Sequence, residues 1–173
     1  MSAEGRLFPR YPNDMQNTIL IFIHLMAAAT ALGATAFSIL LLSTGKKFKN
    51  PQPPPENSIE IKIMDILAPT VFACLLTLTG TGVYYLLENY AGQVNLKPGY
   101  YNIFGMKMLF AVAAFGLSIY NMFALRPRIS DLDLRPENKK LVPETLKTMA
   151  TVGQANLWAL MLALFFGVWL TRF

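Results

Sequence analysis

Two ionisable side chains stand inside long apolar runs of this chain. His24 lies about 10 Å along the first run by helical rise, and Lys107 falls within the first two turns of the third. Ionisable groups are costly in hydrocarbon, so each is a candidate functional residue. An imidazole at that depth can bond a neighbouring hydroxyl, ligate a metal or porphyrin, or relay a proton. The ammonium of Lys107 can snorkel to the headgroups on its four-carbon stem, or pair with Glu88 in the last turns of the second run. Tyr84 shares that end of the second run, so His24, Tyr84 and Lys107 form the expected cofactor-binding set. Met26 and Met106 add thioethers near His24. Imidazole with thioether suits Cu(I), which makes His24, Met26 and Met106 the candidate metal set. Most of the nine methionines are nevertheless expected to be packing residues. Thr81, Glu88, Asn121 and Asn156 are the expected structural polar network.

Other chemistries find no residues to carry them. There is no nucleophile–base–acid constellation, no glycine-rich phosphate loop and no metal-binding His/Glu spacing. Cys74 is the single cysteine, so neither an intrachain disulfide nor a cysteine-based metal site can form. The net charge of +5 does not imply a nucleic-acid partner, because the basic residues flank the apolar runs. The chain is expected to have no catalytic activity of its own.

What must position these groups is a set of membrane helices. The 173 residues are 54% hydrophobic and only 14% charged, against about 25% charged in an average soluble chain. The deficit is concentrated in four apolar runs, each long enough at 1.5 Å per residue to cross about 30 Å of hydrocarbon. The spacing predicts spans at about 17–43, 63–88, 102–125 and 148–171, within one transmembrane domain, 1–173. Pro69 is expected near the start of the second span, and Arg126-Pro127 is expected to end the third. The first run is too long for a signal peptide and is expected to be a retained span. The first loop and its junction hold Lys46, Lys47, Lys49 and Lys62, and the third loop holds Arg126, Arg128, Arg135, Lys139, Lys140 and Lys147. The opposite side has Arg6, Arg10, Lys97 and Arg172. The positive-inside rule then places both loops in the cytoplasm and both termini outside, with a bacterial inner membrane as the expected location.

Small and polar residues recur on one face of each span. In the first they are His24, Ala28, Ala31, Thr35 and Ser38; in the third, Lys107, Ala111, Ala114, Ser118 and Asn121. The second carries Thr70, Cys74, Thr77, Thr81, Tyr84 and Glu88, and the fourth Gly153, Asn156, Leu160, Ala163 and Gly167. Such faces let membrane helices close up, with hydroxyls free to bond across the gap. A shift of 83 positions superposes the first stripe on the third, His24 on Lys107 and Ala31 on Ala114. The expected fold is therefore an all-α, polytopic membrane four-helix bundle, with the features of a tandem repeat of two hairpins.

Three short stretches carry a family resemblance. They are Ile23-His24-Leu25-Met26-Ala27-Ala28, Leu78-Thr79-Gly80-Thr81-Gly82-Val83-Tyr84 and Gly105-Met106-Lys107-Met108-Leu109. In these the chain resembles the copper-resistance protein D (CopD) domain and, more distantly, the HemJ-type protoporphyrinogen oxidase. The resemblance implies four helices, with a histidine in an early helix and a lysine at the head of a later one. The leading expectation is an accessory subunit of a larger membrane complex, one carrying redox, photosynthetic or metal cofactors, with other membrane subunits and lipid as its partners. The alternatives are copper handling through His24 and the methionines, and haem or chlorin binding through His24 in membrane electron transport. With one histidine, bis-histidine ligation within one chain is impossible.

Overall fold

The computed structural model describes residues 14–45, 59–90, 99–128 and 142–172, and these are helical almost throughout. The helices are α1 (Asp14–Gly45), α2 (Ile59–Tyr90), α3 (Tyr100–Ile119) and α4 (Val142–Leu170). α3 runs on into a π-helical segment, Tyr120–Leu125. Four stretches are long and apolar enough to cross a membrane: Met15–Ser43, Lys62–Leu87, Tyr100–Arg128 and Glu144–Leu170. The chain is an all-α integral membrane protein whose solvent is the lipid bilayer.

The helices outrun the apolar runs because a nucleated helix propagates into its polar flanks at little cost. α2 starts at Ile59, so Pro69 lies well inside it rather than near its start. α4 starts at Val142 rather than at 148, with Pro143 in its first turn, where a missing N–H costs nothing. The third span does not stop at Arg126-Pro127. It continues to Arg128, and the π segment supplies the reason. A proline crowds the carbonyl four residues back and offers it no donor. Here that carbonyl belongs to Phe123, inside the widened turns, and the Arg126 N–H bonds to the Asn121 carbonyl. The Arg126 side chain bonds to Asp65 at 2.8 Å, tying α3 to α2 at this end.

α1 packs on α2 and α4, and α3 packs on α4 and α2, which closes a ring of neighbours in chain order. Its centre is small. Ala31 and Ala114 have no exposed surface and pack with Val71, Leu75, Ala159 and Leu160. Thr35 and Ser118, the next pair of the 83-residue shift, are 4% and 3% exposed. Toward the first and third loops the core becomes bulkier, with Met64, Leu125 and Met149. The hydroxyls expected to bond across helices largely bond back instead. Thr35, Ser38, Thr70, Thr77 and Thr79 each donate to the carbonyl four residues earlier on their own helix. This satisfies them without a neighbour, and leaves the helix contacts to van der Waals packing.

Candidate functional site: the His24–Lys107 layer

Seven residues from the alanine centre, or about 10 Å by rise, each helix reaches a second layer toward the end where α1 begins. It holds His24 on α1, Thr81 and Gly82 on α2, Lys107 on α3 and Gly167 on α4. His24 Nδ1 lies 2.7 Å from Thr81 Oγ1. Thr81 has one hydroxyl proton, and it is committed to the Thr77 carbonyl at 2.7 Å. The threonine oxygen therefore accepts, and Nδ1–H of His24 donates. This arrangement satisfies both contacts at once. It leaves the lone pair on Nε2, the arrangement in which an imidazole can ligate a metal or accept a further hydrogen bond.

A glycine lies against each ionisable group. A Cβ on Gly82 would stand 3.8 Å from His24 Cε1, and a Cβ on Gly167 would stand 3.5 Å from Lys107 Cε. His24 and Lys107 are both half-buried. The layer thus brings together one imidazole with a free ring nitrogen, one hydroxyl and one ammonium. It can hold a metal or an acceptor-seeking donor at Nε2.

The remaining candidates fall elsewhere. Tyr84, one turn beyond Thr81, is 46% exposed, and the hydroxyl against His24 is that of Thr81. Met26 and Met106 are 53% and 41% exposed, so both lie at the lipid surface. Met26 is two positions from His24, about 200° around the helix, and points away from it. Among the described residues no three of His, Cys, Asp and Glu converge on a metal position. The Glu88 side chain lies outside the described residues. Asn121 and Asn156 do not share a network with Thr81. They line a cavity in a third layer, with Asn121 fourteen residues or about 21 Å from Lys107 by rise.

Gly82 and Gly167 as seats for His24 and Lys107 were not legible as such. Their signal is a spacing of 85, against 83 for the first and third helices. The same side-chain-over-glycine contact in both hairpins supports the tandem relationship, with a two-residue difference absorbed between α3 and α4. No family model matches the chain, and neither a curated protein nor a solved structure is similar to it.

Proposed function

We propose that this chain is an accessory integral-membrane subunit of a larger complex that carries redox, photosynthetic or metal cofactors, on a fold resembling the CopD domain. The observation that carries this reading is the outward placement of Gly33 and Gly116. They occupy equivalent places on α1 and α3, at the depth of the closed alanine centre, with nothing within 4 Å of a built Cβ. Lipid gains nothing from a glycine face, whereas another helix gains a close backbone approach. Behind these faces Ala31 and Ala114 fill the centre, so the surface toward lipid is where this bundle has contacts to offer. We place it in the bacterial cytoplasmic membrane with both termini outside.

Mild-detergent extraction followed by native mass spectrometry tests the reading. The chain is expected with unlike membrane subunits, and Gly33→Leu with Gly116→Leu should release it from them with its helix content unchanged. A stable monomer with an activity of its own would overturn it.

One observation favours a second reading, porphyrin binding at His24: the Thr81 contact leaves Nε2 as the ligating nitrogen. An absorption spectrum and metal analysis of the native assembly separate the two. A Soret band lost in His24→Gln supports a haem or chlorin. Copper handling has less support, because Met26 and Met106 face lipid.

A further inference from the structure

We propose that the cavity in the third layer is a binding site for one ordered water molecule, held by Asn121 and Asn156. The cavity measures about 20 Å³, and its polar walls are Thr35 and Ser38 from α1, Ser118 and Asn121 from α3 and its π extension, and Asn156 from α4. That volume exceeds the roughly 10–15 Å³ that one water requires and is too small for a larger solute. Asn156 is only 4% exposed. Its Oδ1 and that of Asn121 are both buried without a hydrogen-bond partner among the described groups. A buried acceptor left so bears its full desolvation penalty.

The neighbouring hydroxyls of α1 do not relieve it. Thr35 donates to the Ala31 carbonyl at 2.7 Å, and Ser38 to the Ala34 carbonyl at 2.8 Å. Each has spent its one proton, so both present lone pairs to the cavity. The site needs a donor of two hydrogen bonds that can itself accept, which describes water. A metal cation is disfavoured, because the lining has no carboxylate and nearby Asp65 is committed to Arg126. Asn121 also belongs to the π-helical segment, a distortion frequent where a helix wall serves a bound group. The water would join α3 to α4 where α1 contributes acceptors alone.

X-ray radiolytic footprinting of the full chain in lipid nanodiscs tests this, because radicals formed from an ordered water oxidise the side chains beside it. Met149 and Met64 line the same cavity and are 2% and 6% exposed. Both are expected to convert to the sulfoxide despite their burial. Asn156→Leu, which fills the site with an apolar group, is expected to abolish labelling at Met149 while leaving it unchanged at exposed Met15. Asn121→Leu serves the same purpose should Asn156→Leu not fold. Unlabelled Met149 in the unmodified chain means a dry cavity and overturns the proposal. Undiminished labelling in a folded leucine variant means radical entry from bulk and overturns it too. A melting midpoint that falls when choline replaces sodium and potassium would assign the site to a cation instead.

Discussion

Lys107 lies along Gly167, with Cε 3.5 Å and Nζ 3.7 Å from the place a Cβ on that glycine would take. His24 lies along Gly82 in the same way on the other hairpin. In each case the ionisable chain comes from the first helix of a hairpin and the glycine from the second. An imidazole and a lysine stem thus lie against glycines in a ring of four helices whose alanine-lined centre is one layer deeper.

Both gaps are wide enough for a methyl group. Gly82→Ala and Gly167→Ala are therefore expected to be neutral or stabilising by up to about 1 kcal/mol, since alanine is the better helix former. Gly167→Leu overpacks the layer and should cost about 1–3 kcal/mol. Unfolding in mixed micelles measures both, and Lys107→Ala should restore part of the loss. A leucine without cost at 167 would place the Lys107 stem elsewhere.

Thr81→Val keeps the shape and removes the acceptor for His24. Cross-helix hydrogen bonds in membranes average about 0.6 kcal/mol and reach about 1.7, so a loss of about 1 kcal/mol is expected, with Thr81→Ser close to the unmodified chain. Nitrogen-15 NMR of the labelled imidazole should show Nδ1 protonated and Nε2 bare. The reverse pattern would contradict the proton assignment.

Ala31 and Ala114 occupy equivalent places with no exposed surface. Ala31→Leu and Ala114→Leu should each destabilise the isolated chain by about 1–3 kcal/mol. The double variant should depart from additivity, because both sites open onto one core cluster. Gly33→Leu, facing open space, should leave the isolated chain's stability within about 1 kcal/mol. A large loss there would show that the face packs within the bundle itself.

Orientation is open to direct labelling. With Cys74 replaced by alanine, cysteines at Lys49 and Asn138 should be shielded from an impermeant thiol reagent in intact cells, and one at Gln93 should react. Labelling of the first two would invert the topology.

Several features were readable before any coordinates. Four apolar runs of spanning length admit one class of structure, because backbone groups in lipid must be satisfied within the helix. His24 and Lys107 stood out because an ionisable group in such a run is rare and costly. The inward faces of the first, third and fourth spans were readable as well, since a recurring step of four and three marks one side of a helix. That is why Ala31, Thr35, Ala114 and Ser118 are buried as their stripes required. On α2 the buried face is instead Met64, Ala68, Val71 and Leu75, while Thr77 and Tyr84 of the expected stripe are exposed.

What needed the tertiary structure was everything set by how the helices meet. That Thr81 reaches His24 depends on the rotation and height of α2 against α1, which membership of one stripe does not give. That Gly82 and Gly167 are equivalent depends on the relative heights of α2 and α4, which a single sequence offset conceals. The methionines looked close to His24 in number, but they lie at the lipid surface, because two positions along a helix is more than half a turn. The π segment follows from Pro127 acting on a helix whose end is tied to Asp65, and it sets Asn121 opposite Asn156 around one small cavity. Composition and periodicity marked the inward side of α1, α3 and α4 but not of α2. Only the packed heights and rotations of four helices decide which atoms then touch.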